Sequence, residues 1–137
     1  MRERTCRDCE PALIPLPAPH PGPRCGEHHH QRQMAISAQK HANHVLRVYN
    51  LAPADFVALW RIQGGSCAIC RRANGTTRRL SVDHCHRTGQ VRGLLCRPCN
   101  SALAQWVREN RPAAILYVTN PPARRLHHNP HAKPLAA

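Results

Sequence analysis

The pattern of polar and apolar residues predicts short helices around one small hairpin. From about residue 29 to residue 49 the chain lacks Pro and Gly and carries Arg, Gln, Lys, Ala and His, which predicts a helix with a polar, basic face. The next stretch, LAPADFVALWRIQGG, places Phe56, Leu59 and Trp60 at i, i+3 and i+4. This stripe predicts a second helix that faces the core and ends at the Gly-Gly pair. A base-stacking role for Trp60 is the alternative interpretation.

Two short extended segments follow in the centre of the chain. Residues 80–84 and 91–95 are candidates for extended strands, and the Thr88-Gly89 pair between them is typical of a turn, so they predict a β-hairpin. A helix from about residue 98 to residue 110 should follow, stopped by Pro112, and then a short helix at 113–119. Together these elements predict an α+β fold.

The two ends of the chain differ in composition from its centre. Residues 1–28 are rich in Pro and Cys, and the run PLPAPHPGP excludes a regular helix or a central strand. The C-terminal ARRLHHNPHAKPLAA is basic and has too few apolar residues to fold by itself. We therefore predict an N-terminal zinc-knuckle-like module at 1–30, a helical linker and support helix at 31–65, a cysteine-rich domain at 66–122 and a basic flexible tail at 123–137.

Size, cysteine content and charge narrow the functional classes. The chain has 137 residues but only five aromatic side chains, so its eight cysteines should help to stabilise a small core. It has neither a secretory apolar region nor an apolar run of membrane-spanning length, which predicts a cytoplasmic protein without a membrane partner, where cysteine pairs commonly bind zinc. A formal charge of +13 predicts binding to nucleic acid, and a solvated basic surface is the alternative.

Two cysteine pairs in the central domain have the spacing of zinc ligands. Cys67-x2-Cys70 and Cys96-x2-Cys99 are separated by 25 residues, a gap that can hold a hairpin closed at its base by one ion. These four thiolates predict a structural tetrahedral zinc site. The alternative is a pair of disulfides or buried free thiols, which a reducing compartment disfavours.

A second set of ligands lies in the N-terminal module. Cys6-x2-Cys9 is followed after fifteen residues by Cys25-x2-His28, and three thiolates with one imidazole also make a closed zinc site. Only His28 keeps the x2 spacing, although His29 and His30 follow it directly and remain alternative ligands. The remaining cysteine, Cys85, is interpreted as a further ligand, a reactive thiol or a small core residue.

Acidic, imidazole and amide side chains lie close in sequence to the second central cysteine pair, Cys96 and Cys99. Asp83 and His84 end the first predicted strand, His86 follows two residues later, and Asn100 follows the last zinc cysteine. Asp and Asn oxygens suit a hard cation such as Mg²⁺, and an imidazole can take a proton from water. Because neighbouring side chains on a strand point to opposite faces, these groups can converge only if the strand is distorted. Together they supply what phosphodiester hydrolysis requires.

The runs GGSCAIC and LSVDHCHRTGQVRGLLCRPCNSAL resemble the recombination endonuclease VII family of phages, a branch of the HNH or ββα-metal (His-Me finger) nucleases. The resemblance spans about residues 49–122 and implies an endonuclease VII-like nuclease domain. It implies zinc on the four central cysteines, catalytic Mg²⁺ on Asp83 and Asn100 with Mn²⁺ able to substitute, His84 as general base and His86 at the phosphate or the metal. Many members carry Asp where this chain has Cys85.

These observations predict a Mg²⁺-dependent DNA endonuclease that acts on branched DNA in the cytoplasm. If a phage encodes the chain, this is the cytoplasm of the host cell. A less selective HNH nicking enzyme for phage DNA packaging or breakdown and a non-catalytic zinc-finger DNA-binding protein are the alternatives. A homodimer would suit symmetric cleavage of a junction, although we find no long coiled-coil seam. The predicted phosphate contacts are five arginines, for which a solvated basic face is the alternative: Arg87, Arg92, Arg97, Arg78 and Arg79.

Overall fold

The computed structural model describes residues 5–9, 16–18 and 22–126, and it contains helices and one two-stranded sheet. The helices are α1 (Gly26–Tyr49), α2 (Pro53–Ile62), α3 (Arg97–Arg108) and α4 (Pro112–Thr119). The strands are β1 (Ser81–His84) and β2 (Val91–Leu95), and a 3₁₀ turn at Pro122–Arg125 follows α4. The chain divides into two compact units, Met1–Asn43 and His44–Ala137. The predicted mixture of helices and a small sheet is confirmed.

The N-terminal unit contains a loop and most of a long helix. The backbone N–H of Cys6 donates to the Leu16 carbonyl at 3.0 Å, which closes the loop on itself. Helix α1 begins at Gly26, about three residues before its predicted start, and the Cys25 carbonyl accepts the His29 N–H at 2.9 Å. Its side chains are mostly exposed, as the polar pattern predicts. None of the described helices has the length and hydropathy of a membrane span.

The second unit is built around the antiparallel hairpin of β1 and β2. Val82 pairs with Leu94 and Asp83 with Gly93, and Leu94 is completely buried. The end of α1 and all of α2 belong to this unit, because their buried apolar residues join those of the hairpin in one core. The largest fully buried side chains of that core are Leu51, Leu59, Leu94, Leu95 and Cys67.

The apolar stripe of α2 is only partly buried. Leu59 is completely buried and Phe56 packs against the core, as predicted. Trp60 is 40% exposed, so the prediction that it packs in the core is wrong. Its ring instead lies against the backbone of Gly65, where an added Cβ would come within 3.0 Å of the ring. The indole N–H points to the Asn74 carbonyl at 3.5 Å, outside the core.

The two units meet between residues 43 and 44, whereas domain boundaries were predicted at residues 30, 65 and 122. Helix α1 passes residue 30 without a break, and the core of the second unit already contains Val45 and Leu51. At the other end, Ala123 and Leu126 are buried in the same core, so the 3₁₀ turn is packed structure and not tail. The rest of the predicted tail, residues 127–137, lies outside the described residues.

Candidate active site and metal centres

The four central cysteines form one cluster at the base of the hairpin. Their sulfur atoms all lie within 4.8 Å of one another, and the Cys70 and Cys96 sulfurs are 3.8 Å apart. A tetrahedral zinc with bonds of about 2.3 Å requires sulfurs about 3.8 Å apart, so this donor set fits zinc. The backbone N–H of Cys67 donates to the Ala73 carbonyl at 2.7 Å, which folds the first pair into a tight turn.

The electrostatics of this cluster also favour a cation. Burial raises the pKa of Cys99, and the neighbouring thiols raise it further. Burial opposes ionisation of Cys70 as well, but backbone N–H donors from Ala73 and Arg72 lower its pKa to about 6. Ionisation of all four thiols would therefore place several negative charges close together. A divalent cation offsets that repulsion, as in structural zinc sites.

The N-terminal cysteines and His28 form a second cluster. The Nδ1 atom of His28 lies 3.3, 3.6 and 3.2 Å from the sulfurs of Cys6, Cys9 and Cys25. All four donor atoms lie within 4.8 Å of one another, so the set is compatible with a closed zinc site of three thiolates and one imidazole. His28, the residue with the x2 spacing, is the histidine that joins the thiols.

A cavity of about 590 Å³ in the second unit brings together the predicted catalytic residues. The side chains from β1, the following turn and α3 that line it are Asp83, His84, His86 and Asn100. Asp83 and His84 are neighbours in the chain, yet both line the cavity, because the register shifts by one residue between them. This bulge is the distortion that the sequence analysis required. Leu103 and Val107 of α3 and Val82 supply apolar wall.

Asp83 is buried and strongly hydrogen-bonded. Its side chain has only 6% exposure. The Arg92 Nε and Nη2 atoms donate to its Oδ2 and Oδ1 at 2.7 and 3.0 Å, and the Tyr117 hydroxyl donates to Oδ2 at 2.9 Å. Arg92 Nη2 also donates to the His84 carbonyl at 3.1 Å. Arg92, predicted as a phosphate contact, is thus engaged with the carboxylate next to the cavity.

The two histidines are stacked next to each other. Their ring centroids are 4.9 Å apart, and the Tyr49 ring lies 5.2 Å from that of His84. Burial lowers the pKa of His84, and the positive charge that His86 can carry lowers it further. His84 is therefore neutral at pH 7 and able to accept a proton.

Asn100 lines the cavity from α3, whereas Cys85 directly follows β1 and is not among the lining residues. Asn100 is in the first turn of α3, where its backbone N–H donates to the Cys96 carbonyl at 2.9 Å, so its backbone is tied to the cluster of four cysteines. Cys85 is half-buried at the start of the hairpin turn, where its N–H donates to the Gln90 carbonyl at 2.8 Å. Hydrogen bonds from the Thr88 side chain and backbone lower the pKa of its thiol.

Three of the predicted DNA-contacting arginines share a second cavity. Arg78, Arg79 and Arg97 line a space of about 370 Å³ together with Asn74 and with Cys96 of the cysteine cluster. Among the described residues, no acidic side chain lines this cavity. A fourth, Arg87, is exposed in the hairpin turn and lines neither cavity.

Sequence reasoning missed two tyrosines and a glutamine that support the site. Tyr117 and Tyr49 contact Asp83 and His84 from α4 and α1, and nothing in their local sequence indicates this. Gln63 is 2% exposed, and its carboxamide bonds the backbone of Leu94 in β2. The only feature of the sequence that could have indicated this role of Gln63 is its position directly before the Gly-Gly pair that ends α2.

Comparison with known proteins places these observations among phage nucleases. The sequence profile of a family described as recombination endonuclease VII matches residues 42–120. Two curated relatives, both named Gene 59 protein, come from Mycobacterium phage D29 and Mycobacterium phage L5. Each is 42% identical over 127 residues, which cover 89% of this chain and 77% of the relative. No solved structure matches the chain significantly.

Proposed function

This chain belongs to the recombination endonuclease VII family, and on that premise we propose that it is a Mg²⁺-dependent DNA endonuclease that prefers branched DNA. The observation that carries the proposal is the shared cavity of Asp83, His84, His86 and Asn100 inside the matched region. A protein that only binds DNA has no need for an acid, two imidazoles and an amide in one cavity. We propose further that it acts on phage DNA in the cytoplasm of an infected cell.

The proposed fold is the ββα-metal nuclease architecture. In its favour, β1, β2 and α3 follow one another directly and carry the residues of the cavity. The cluster of four central cysteines lies where the turn at Cys67 and Cys70 meets the junction of β2 and α3, so zinc would hold the three elements together.

The residues of the cavity fit a hard cation. Asp83 and Asn100 both line the cavity and carry side-chain oxygens, and a carboxylate offers about four lone-pair positions. Arg92 and Tyr117 occupy three positions on Asp83, so within the described residues one on Oδ1 remains. Asp83 and Asn100 would hold Mg²⁺, with Mn²⁺ able to replace it. The cation would stabilise negative charge on the phosphorane and the leaving oxygen.

His84 is the proposed general base. Its lowered pKa keeps the imidazole neutral, so it can accept a proton from the water that attacks phosphorus. Tyr49 packs against its ring and restricts the orientation of the imidazole. His86 is more exposed and lies close to His84, which suits a hydrogen bond from its ring to the phosphate. The products would carry a 5′-phosphate and a 3′-hydroxyl.

The charge of the second unit supports DNA as the substrate. His44–Ala137 carries 14 Lys and Arg against three acidic residues, of which Asp83 and Glu109 are paired with arginines. The cavity of Arg78, Arg79 and Arg97 adjoins the first turn of α3, from which Asn100 reaches the proposed active site. We propose that it holds the DNA backbone, with Arg87 as a further contact. Symmetric cleavage of a junction would require a dimer.

Cleavage of a synthetic four-way junction and of its matched linear duplex tests this function. Both substrates are incubated with zinc-loaded protein, with and without Mg²⁺, at equal DNA concentration. We expect cleavage only with Mg²⁺ and a faster reaction on the junction. Equal rates on both substrates would instead identify a general nicking enzyme, and tight binding without cleavage under any divalent cation would identify a DNA-binding protein.

A further inference from the structure

The hydrogen bonds on Asp83 come from two different directions. Arg92 lines the same cavity as Asp83, whereas Tyr117 lines a separate cavity of about 250 Å³ next to α4. Arg92 contacts both carboxylate oxygens, and Tyr117 contacts Oδ2 alone. A carboxylate held by a two-pronged guanidinium and by a third donor cannot rotate without breaking at least one charge-assisted bond. Its orientation is therefore fixed before any substrate arrives.

The bulge in the hairpin makes the contact with Arg92 possible. Asp83 pairs with Gly93 but His84 pairs with Val91, so Arg92 is the extra residue of β2. In an unbroken register Arg92 would stand opposite His84, and its side chain would leave the sheet on the other face from Asp83. The bulge turns it towards the carboxylate, which is a recurrent use of bulges beside active sites.

A glycine makes the contact with Tyr117 possible. Gly93 lies opposite Asp83 in the hairpin, and an added Cβ there would come within 3.0 Å of the Tyr117 hydroxyl. Its φ is not in the left-handed region, so the residue serves to leave space. The Tyr117 hydroxyl donates to Asp83 Oδ2 at 2.9 Å across this space.

We propose that Arg92 and Tyr117 are positioning residues, which hold Asp83 in one orientation and leave a single lone-pair position of Oδ1 for the divalent cation. This inference rests on the proposed function and assigns Arg92 to the carboxylate in place of the DNA phosphate. Outer partners of metal ligands act in this way by fixing the ligand oxygen that faces the ion. Both residues would act through Asp83, with which they form hydrogen bonds.

The test compares single variants of the zinc-loaded protein with wild type. Tyr117→Phe keeps the ring and removes the donor, and Arg92→Lys keeps the charge but loses the two-pronged contact. Arg111→Lys is the matched control, because Arg111 forms an ion pair of 2.7 Å with Glu109 away from the cavity. Mn²⁺ binding without DNA is followed by electron paramagnetic resonance, and single-turnover cleavage is measured at saturating Mn²⁺.

We expect Tyr117→Phe and Arg92→Lys to retain bound zinc and Mn²⁺ binding but to lower the saturated cleavage rate by about tenfold or more. The spectrum of bound Mn²⁺ should change in both variants and not in Arg111→Lys, a response that general loosening of the fold would not produce. A rate loss of less than about threefold in either folded variant, or an unchanged Mn²⁺ spectrum, overturns the inference.

Mn²⁺ binding and DNA cleavage by the wild-type protein distinguish failure of this inference from failure of the proposed function on which it rests. If wild type neither binds Mn²⁺ nor cleaves DNA, the proposed function fails and the positioning role fails with it. If wild type does both, while the variants behave as wild type, only the positioning role is refuted. Asp83→Asn serves as the reference for the site and should lose Mn²⁺ binding. If Mn²⁺ binds Asp83→Asn as tightly as wild type, the assignment of Asp83 as its ligand is refuted, and the inference with it.

Discussion

The side-chain amide of Gln63, at the end of α2, hydrogen-bonds to the backbone of β2 in the way that a neighbouring strand would. Its Nε2 donates to the carbonyls of Leu94 and Ser66, both at 2.9 Å, and its Oε1 accepts the Leu94 N–H at 2.7 Å. Gln63→Met keeps the length of the side chain but removes all three bonds. The Leu94 carbonyl retains the Ala68 N–H at 3.2 Å, whereas the Leu94 N–H is left buried without a partner.

The cost of this change follows from those bonds. An unpaired buried N–H costs about 1–3 kcal/mol, and each other lost bond about 0.5–1.5 kcal/mol. We therefore expect Gln63→Met to destabilise the protein by about 3 kcal/mol, which lowers Tm by more than about 10 °C in a unit of this size. Thermal unfolding at fixed free zinc measures the change. Gln105→Met, an exposed control whose amide bonds only Glu109, should stay within about 0.5 kcal/mol. Equal Tm values for the two variants would refute the reasoning.

Four further predictions follow from the metal clusters, the site and the charge. Elemental analysis should find two zinc ions per chain, and their chelation should unfold the protein; one ion or none would be incompatible with two closed clusters. Because the pKa of His84 is lowered, the cleavage rate should start to fall with acidification only below pH 6.5. The folding stability linked to neutral His84 should be fully present above pH 6.5 and be lost as the pH falls through the lowered pKa. A fall in the cleavage rate at or above pH 6.5 would contradict this. Gly93→Ala would place a Cβ 3.0 Å from the Tyr117 hydroxyl and should lower the free energy of unfolding by about 1–3 kcal/mol, as measured by thermal unfolding. Gly26→Ala, where the added Cβ has no neighbour within 4 Å, should lower it much less. Equal losses in the two variants would argue against close packing at Gly93. Arg97→Gln should weaken DNA binding and reduce its salt slope by about 1, and an unchanged slope would remove Arg97 from the DNA contacts.

Features that depend on neighbouring residues were predictable from the sequence. The x2 spacing of cysteines predicts ligands that share one ion, and the two clusters have the predicted members. The hairpin followed from two short extended segments with a Gly-containing turn between them, and β2 has the predicted bounds. The helix predicted at about 98–110 is present as α3, which begins at Arg97 and ends at Arg108, and Asn110 beyond its C-cap adopts φ 52°.

Features that depend on distant residues were not predictable. The contact of Tyr117 with Asp83 joins residues 34 positions apart and depends on the missing Cβ of Gly93. Helical periodicity assigned Trp60 to the core, but periodicity gives the face of a helix and not where that face ends. Residues 31–65 were predicted as a helical linker and support helix outside the cysteine-rich domain, although Val45 packs in the same core as the hairpin.

The most direct test of the account is the cleavage rate of His84→Ala. Its central claim is that the cavity of Asp83, His84, His86 and Asn100 hydrolyses DNA with His84 as the base. Single-turnover cleavage with Mg²⁺ is compared among wild type, His84→Ala and His30→Ala, an exposed histidine of α1, after zinc content and Tm are matched. We predict a loss of at least about a hundredfold for His84→Ala and none for His30→Ala. Cleavage by His84→Ala within about twofold of wild type would contradict the account.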